Sequence, residues 1–260
     1  MIDTHTHLYL RDDFPDGGSD AVRRALDAGI SHMVLPNVGL TSMEDLLRLH
    51  ALHPDVTSIG VGLHPEEIDA DWRPRLEDVF ARFADEAPVA VGEVGIDLYH
   101  DPTYRFQQMD AFGDQLDRAY TMGLPVIIHC REALDDTLDV IRMMGDRRPE
   151  RLVFHSFTGN PADARRILAL PGTYLGINGV VTFKNAPGLR EAVAEAGAGR
   201  LVLETDSPYL APVPKRGRTN ESAYIPYIRD RIAEVCGLSP AEVEAVTDAN
   251  ARSIFNLSSS

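Results

Sequence analysis

The sequence predicts an α/β protein that folds as a single-domain (β/α)₈ barrel, the TIM-barrel fold. Short apolar runs rich in β-branched residues alternate with longer amphipathic segments along nearly the whole chain, which is typical of repeated βα units. About eight such units fit into 260 residues, the usual size of this barrel. The near-continuous apolar character of the strands favours a parallel sheet covered by helices.

The predicted strands follow one another at regular intervals. They are Ile2–Leu8, Ser31–Pro36, Thr57–Leu63, Val89–Val94, Pro125–His129, Leu152–His155, Tyr174–Ile177 and Arg200–Thr205. The helices between and after them are predicted at Asp20–Ala28, Ser42–His50, Pro74–Ala84, Thr103–Met122, Leu134–Met144, Pro161–Leu170, Gly188–Ala196, Ile225–Cys236 and Pro240–Phe255. Gly29 and Gly123 directly follow two of these helices, where glycine commonly ends a helix.

An open doubly wound sheet is the main alternative fold. That fold usually carries a glycine-rich turn for a dinucleotide after its first strand, and no such turn is present here. No long Ser/Gly/Pro linker or block of charge divides the chain, so one domain is expected over residues 1–260. The loop Ala211–Asn220, rich in proline and basic residues, extends the connection beyond the last strand.

Composition narrows the classes of function. The chain has 40 acidic and 25 basic side chains, a net charge of −15, which argues against binding nucleic acid through a broad basic surface. It does not exclude a metal-dependent nuclease, because bound cations reverse the local charge. Two cysteines are too few for a disulfide scaffold, and neither a basic leader nor an apolar run of about 18 residues is present. A cytoplasmic protein without membrane contact is therefore expected.

Histidine and carboxylate side chains occur near the ends of several predicted strands. His5 and His7 lie two residues apart on the first strand and so share a face. Glu93, His129, His155 and Asp206 lie near the ends of the fourth, fifth, sixth and eighth strands. Barrel active sites form at this end of the sheet. Converging imidazoles and carboxylates bind divalent transition metals, and one carboxylate can bridge two ions.

Each of these residues also has a purely structural interpretation. His129 and His155 follow apolar runs and are, taken singly, typical of hydrogen-bonded core histidines. Glu93 alone fits an inter-strand salt bridge, and Asp206 alone fits a helix cap. The coincidence of five strands that each supply a ligand-capable group at one end favours the metal site over these separate explanations.

Seven sequence blocks carry a family resemblance. They are Asp3–His7, Gly62–Pro65, Gly92–Asp97, Pro125–His129, His155–Gly159, Gly179–Ala186 and Glu204–Leu210. In this order and over nearly the whole chain, they resemble the TatD family of metal-dependent deoxyribonucleases. The resemblance implies a barrel of the amidohydrolase-like superfamily, two divalent ions per chain (Mg²⁺, Mn²⁺ or Zn²⁺), and hydrolysis of phosphodiester bonds in DNA by a metal-activated hydroxide.

Carried over residue by residue, the resemblance assigns His5, His7 and Asp206 to one ion, His129 and His155 to the second, and Glu93 as the bridge. Asp206 is interpreted as ligand and orienting base for the attacking water, or as ligand alone. His64 is expected to donate to a phosphate oxygen or to support a ligand, with a structural role as the alternative.

The chain departs from the family pattern at two positions. Ser156 stands where the family often has cysteine, and Glu66 stands where it often has a second histidine. Neither is a proposed ligand. Glu66 nevertheless replaces an imidazole donor by a group that repels phosphate at neutral pH.

Five residues outside the cluster are candidate substrate contacts: Arg131, Lys184, Tyr209, Lys215 and Arg216. The two lysines are the only ones in the chain and lie in loops at the predicted open end, where TIM barrels often bind phosphate. Arg131 is expected to clamp phosphate and Tyr209 to stack on a base or sugar. The alternatives are an arginine-biased composition for the lysines, a helix-start ion pair for Arg131 and a packed loop anchor for Tyr209.

Taken together, the sequence predicts a monomeric exonuclease that acts on accessible ends or single strands of DNA, without an obligate protein partner. A metallohydrolase for an ester or amide, such as aminoacyl-tRNA deacylation, is the alternative enzyme, because fold does not fix the reaction. A metal-binding or nucleic-acid-binding protein without turnover is the alternative from another class. His32, His50, His53 and His100 are interpreted as solvated residues away from the cluster.

Overall fold

The computed structural model describes residues 1–258 and contains one eight-stranded parallel sheet. Its strands are β1 (Ile2–Asp3), β2 (His32–Pro36), β3 (Thr57–Val61), β4 (Ala90–Asp97), β5 (Val126–Arg131), β6 (Leu152–Phe154), β7 (Thr173–Ile177) and β8 (Leu201–Leu203). Each strand pairs with its sequence neighbour. The N–H of Thr4 donates to Leu203 O (3.0 Å) and that of Asp206 to His5 O (2.9 Å), so β1 and β8 meet. The predicted (β/α)₈ barrel is confirmed.

The helices lie where the amphipathic pattern predicts them. They are α1 (Ser19–Asp27), α2 (Met43–Leu52), α3 (Trp72–Arg82), α4 (Arg105–Met122), α5 (Leu134–Met143), α6 (Pro161–Leu168), α7 (Pro187–Ala196), α8 (Ile225–Cys236) and α9 (Pro240–Phe255). The last two match their predicted ends, and the other ends shift by less than one turn. None of the helices within residues 1–258 has the length and apolarity needed to cross a membrane.

Four strands end earlier than the sequence predicts, and the difference is largest in β1. The ladder of β1 stops at Asp3, where Leu8 was predicted, and β3, β6 and β8 stop at Val61, Phe154 and Leu203, one or two residues before their predicted ends. Beyond the ends of β1 and β8, the two segments are joined by an isolated bridge between Thr6 and Ser207 and by backbone hydrogen bonds such as that of Asp206 N–H to His5 O. β-branched threonines continue in both segments, but the chain leaves the ladder there, and polar side chains such as His5 and Asp206 lie at the barrel mouth.

The fourth strand is longer than predicted and changes the position of Glu93. Because β4 continues to Asp97, Glu93 lies inside the strand and not at its end. The pairing of β4 with β5 shifts register between Val91 and Val94. Gly95 has φ +151°, and a Cβ there would lie 1.9 Å from His129 O, so only glycine permits this close approach of the two backbones. Glu93 lies in this irregular segment, between Val91 and Val94.

The barrel interior is apolar at the amino ends of its strands. The side chains that fill it are Ile2, Val34, Ala90, Ile127, Val153 and Val202, with Ala251, Ile254 and Phe255 of α9 packed beneath them. A second, larger apolar cluster lies between the sheet and the surrounding helices. The floor of the barrel is thus closed by α9, while buried polar residues occupy the opposite end.

Candidate metal centre

Glu93 lies at the centre of the polar end, and its two carboxylate oxygens face different histidines. Oε2 lies 3.1 Å from His5 Nε2 and 3.5 Å from His7 Nε2. Oε1 lies 2.7 Å from both His129 Nδ1 and His155 Nε2. The residue is only 3% exposed. One buried carboxylate therefore contributes to two separate groups of ligand atoms, as a bridging ligand does.

Asp206 completes the first group. Its Oδ1 lies 3.8 Å from His5 Nε2 and 3.7 Å from His7 Nε2, and these two nitrogens are 3.0 Å apart. Atoms about 2.1 Å from a tetrahedral metal lie about 3.4 Å from one another. The donor set and its spacing therefore fit a divalent ion. Asp206 adopts φ 57°, a left-handed conformation that aspartate tolerates better than most residues.

In two histidines, the ring nitrogen that points away from Glu93 makes a hydrogen bond. The other ring nitrogen then faces the position where a cation would bind. His7 Nδ1 lies 2.9 Å from Tyr9 Oη, which itself donates to Pro36 O at 2.5 Å. The tyrosine oxygen therefore accepts from His7 Nδ1–H, and the lone pair of Nε2 faces the first group. Metal-binding histidines are commonly oriented in this way.

The same arrangement occurs in the second group, with a carboxylate in place of the phenol. His129 Nε2 lies 2.9 Å from Asp97 Oδ2, so Nε2–H donates to this carboxylate and Nδ1 is the nitrogen that faces Glu93. Asp97 was not singled out as a functional residue by the sequence. Its spacing of four from Glu93 on one strand, which places both on one face, was the signal that could have found it.

His64 joins the second group but presents a donor to it. Its Nε2 lies 3.2 Å from Glu93 Oε1 and 3.3 Å from His129 Nδ1. Its Nδ1 accepts the backbone N–H of Glu66 at 3.2 Å. A neutral imidazole that accepts on Nδ1 carries its proton on Nε2. Nε2–H can therefore donate to Glu93 or to a phosphate oxygen, and the role of His64 stays a prediction.

Comparisons with known proteins agree with this geometry. Residues 2–256 match the family model described as TatD related DNase.

The chain belongs to the TatD family.

A Mycobacterium tuberculosis relative, named as an uncharacterized metal-dependent hydrolase TatD, is 36% identical over 265 residues and aligns with 99% of this chain and 98% of its own. A Salmonella typhimurium relative, named 3'-5' ssDNA/RNA exonuclease TatD, is 34% identical over 250 residues, or 94% and 95% of the two chains. The solved structure of YjjV, a TatD homolog from Escherichia coli, superposes with TM-score 0.89 at 27% identity and covers 99% of this chain and 98% of its own. Family membership and the two histidine–carboxylate groups identify a metal-dependent hydrolase.

Burial keeps the histidines of the first group of this TatD protein neutral. It lowers the pKa of His5 to about 4 and that of His7 to about 3, and their histidine neighbours add to the effect. Both rings are therefore deprotonated at neutral pH in the absence of a metal. Neutral imidazole is the form that binds a cation.

The second group holds protons instead. Burial alone would lower the pKa of His155, but the charge of Glu93 outweighs it and raises the pKa to about 10. The pKa of His129 is also raised, because bonds to Asp97 and Glu93 outweigh burial. Burial would raise the pKa of Glu93, yet the surrounding histidines, His155 foremost, hold it well below its usual range. The buried anion thus attracts protons or, equally, a cation to this position.

A cavity of about 710 Å³ opens above the centre and contains two of the five predicted substrate contacts. Arg131 and Tyr209 line it, together with His64, Glu66 and Asp206. Arg131 packs its guanidinium 3.8 Å from the ring centre of Tyr99, and Tyr209 is 56% exposed. These two side chains are positioned to contact a bound molecule.

The other three predicted contacts do not line this cavity. The guanidinium of Arg216 lies 4.0 Å from the ring centre of Phe183, next to Lys184. The Nζ of Lys215 lies 5.1 Å from the ring centre of Tyr224. These cation–π contacts hold the basic side chains on the outer loops that follow β7 and β8. We call Lys184, Lys215 and Arg216 the basic rim.

Glu66, one of the departures from the family pattern, has a partner at the cavity wall. Its Oε1 lies 3.0 Å from His100 Nδ1, which also lies 3.0 Å from Asp97 Oδ2. The interpretation of His100 as a residue away from the cluster was therefore wrong, since one carboxylate joins it to His129. The turn after β4 produces this contact, and strand periodicity does not reveal it. Ser156, the second departure, faces Asn178, whose Nδ2 donates to its Oγ at 2.7 Å.

Proposed function

We propose that this protein removes nucleotides from accessible ends of single-stranded DNA with the help of two divalent ions per chain, Mg²⁺, Mn²⁺ or Zn²⁺. The observation that carries the proposal is the division of the two Glu93 oxygens between two ligand groups. The Salmonella relative, named as a 3'-5' ssDNA/RNA exonuclease, supports a single-stranded substrate and the 3'-to-5' direction. The charge balance agrees, because the ions would offset acidic side chains at the mouth.

The residues that would hold the two ions are those already described. His5, His7 and Asp206 would hold the first, His129 and His155 the second, and Glu93 would be shared. When bound, such ions lower the pKa of water toward about 7 and neutralise the charge on phosphate oxygens.

The chain itself supplies a proton acceptor and a hydrogen-bond donor. Asp206 is the more accessible of the two carboxylates, with 14% of its side chain exposed against 4% for Glu93. Its carboxylate is therefore the group that accepts the proton from the attacking water. His64 Nε2–H donates to a non-bridging oxygen of the phosphate. Both atoms face the same cavity, so nucleophile and phosphate are brought together.

The depth of the centre favours strand ends over the interior of a duplex. His5 and Glu93 are almost completely buried, so a phosphate must enter the cavity to reach them. A flexible single strand can bend its terminal nucleotide inward, whereas a stacked duplex must first unpair. Within the cavity, Arg131 contacts phosphate and Tyr209 stacks on a base. The basic rim attracts the remaining strand without selecting a sequence.

The test uses a 5'-labelled single strand, a closed circular single strand of the same sequence, and an RNA strand. With Mg²⁺, Mn²⁺ or Zn²⁺ present, we expect stepwise shortening of the linear DNA and an intact circle. Glu93→Ala and Asp206→Ala should abolish shortening. Linear DNA that stays intact with every metal, while an ester or an aminoacyl-tRNA is cleaved, would replace this proposal by the metallohydrolase alternative.

A further inference from the structure

Two of the four histidines assigned to the ions lack a partner on the ring nitrogen that points away from the centre. His5 Nδ1 and His155 Nδ1 are buried and have no hydrogen-bond partner among the described residues. The corresponding nitrogens of His7 and His129 do have partners, as described above. A histidine that binds a cation through one nitrogen carries a proton on the other, and a buried N–H without an acceptor is costly.

Glu204 lies beside the two rings that carry the unpartnered nitrogens. The rings of His5 and His155 are stacked, with centres 3.9 Å apart and planes at 9°, so the two residues present their edges side by side. A ring nitrogen of each and a carboxylate oxygen of Glu204 lie within 4.8 Å of one another. His155 Nδ1 is 3.8 Å from Glu204 Oε1. The separation between His155 and Glu204 is too long for a direct hydrogen bond, and a water molecule can bridge polar groups at such a distance.

The carboxylate of Glu204 is itself incompletely bonded. It is fully buried, its Oε1 accepts the backbone N–H of Ser156, and its Oε2 has no partner in the described part of the chain. Glycine at position 176 leaves room for it, because a Cβ there would lie 2.1 Å from Oε2. An acidic side chain without a full set of partners is held in place beside two histidines that each need an acceptor.

We propose that Glu204 is a positioning residue for both ion positions, and that it receives Nδ1–H of His5 and of His155 through one buried water molecule. Such a water would make three hydrogen bonds, the usual number for a buried site. The inference rests on the proposed two-ion centre and deepens it. Tyr9 supports only the first position, through His7, and Asp97 only the second, through His129, whereas Glu204 supports both.

The test compares Mn²⁺ binding to metal-free, full-length wild type with binding to Tyr9→Phe, Asp97→Asn and Glu204→Gln, by titration calorimetry without substrate. We expect Tyr9→Phe and Asp97→Asn each to weaken one of two binding steps. Glu204→Gln is expected to weaken both, by about 10- to 100-fold each. The thermal midpoint of metal-free Glu204→Gln should stay near that of wild type, because the side-chain shape is kept.

Two results would overturn the inference: Mn²⁺ affinity of Glu204→Gln equal to wild type, or a loss confined to one step. A merely structural role would instead lower the thermal midpoint and leave both affinities unchanged. Wild type that binds fewer than two ions would contradict the two-ion centre itself, and this is seen before any variant is used.

A second variant and a second measurement test the inference if Glu204→Gln does not fold. Gly176→Ala keeps the carboxylate but displaces it, and should also weaken both steps. In Zn²⁺-loaded wild type, proton NMR should show two slowly exchanging, downfield Nδ1–H signals from His5 and His155. Their absence, or unchanged ion affinity in Gly176→Ala, would overturn the inference.

Discussion

The two ends of the barrel interior are both largely buried but have opposite chemistry. At the floor, apolar side chains from six strands pack against α9. At the mouth, imidazoles and carboxylates lie close together, and hydrogen bonds such as that of His129 to Asp97 orient them. On β5 the change occurs within two residues, since Ile127 belongs to the floor and His129, which follows on the same face, belongs to the candidate metal centre. Burial alone therefore does not say what a side chain contributes.

The comparison predicts that the two ends fail differently when they are altered. Loss of an apolar contact at the floor reduces the free energy of unfolding in proportion to the volume removed. Loss of a ligand or an acceptor at the mouth removes a specific bond and thus affects ion binding and turnover. The following variants separate these two outcomes.

The largest effect is expected for Glu93→Ala, which removes the ligand shared by both groups. Ions at such sites contribute several kcal/mol to the transition state, so the rate of DNA shortening should fall by at least about a thousandfold, because each tenfold loss corresponds to about 1.4 kcal/mol. Enzyme assays with Mg²⁺ or Mn²⁺ measure the loss. The exposed Glu191→Ala is the matched control. Activity within tenfold of wild type would contradict the bridging role.

Phe255→Ala tests the floor. Phe255 is 1% exposed and packs into the barrel base, so its truncation should lower the free energy of unfolding by about 3–5 kcal/mol. Denaturant unfolding measures this change, and Mn²⁺ affinity of the folded variant should remain that of wild type. Phe106→Ala, at a side chain that is 73% exposed, should be close to neutral. A large loss of ion affinity in Phe255→Ala would show that the two ends are coupled.

His32, at the start of β2, makes the free energy of unfolding depend on pH. Burial, with a contribution from Arg252, lowers its pKa to about 4, whereas the unfolded chain titrates near about 6.5. Between these values the unfolded state binds the proton and the folded state does not, so stability falls as pH is lowered from about 7 to about 4. After allowance for partial exposure, the free energy of unfolding should change by about 1–2 kcal/mol over this range.

Replacement of His32 by Gln should flatten the corresponding part of the stability curve. The measurement is the free energy of unfolding of both proteins at several pH values between about 4 and about 7. Gln can keep the hydrogen bond to Ser58 Oγ, which His32 Nε2 makes at 2.8 Å. Parallel curves for the two proteins would show that other groups cause the pH dependence.

The smallest effect is expected at the basic rim. Lys215→Ala and Arg216→Ala together should raise KM for single-stranded DNA by about two- to fivefold at low salt, since exposed charges contribute about 0.2–1 kcal/mol. The kcat should be unchanged. Arg23→Ala, at an exposed arginine on α1, serves as the control for net charge. An unchanged KM would favour the arginine-biased composition as the reason for the rare lysines.

The periodic parts of the molecule were predictable from the sequence. The bounds of α8 and α9 follow from their amphipathic pattern and the residues that end them. The position of Glu93 inside β4 was not predictable from the sequence, because the register shift of β4 arises where this strand contacts β5 at Gly95. Contacts between distant loops, such as that of Arg216 with Phe183, leave no trace in local patterns.

The residues of the candidate centre also fall into those that the sequence predicted and those that it did not. The residues around Glu93 were recognised because strand ends meet at one edge of a barrel. Tyr9 and Asp97 act through a hydrogen bond to another side chain. Strand periodicity places Asp97 on the face of Glu93, but it does not show which histidine Asp97 contacts. Only the arrangement in space shows which ring nitrogen each of them leaves free.

The meeting of β1 with β8 also sets an order of events during synthesis. The second group of ligands, from His64 to His155, has emerged when little more than half of the chain has been made. His5 and His7 emerge first of all, yet their partner Asp206 lies three residues beyond the last strand. The side chains of the second group are therefore all present early, while the first group is complete only after the segment that follows β8 has been made.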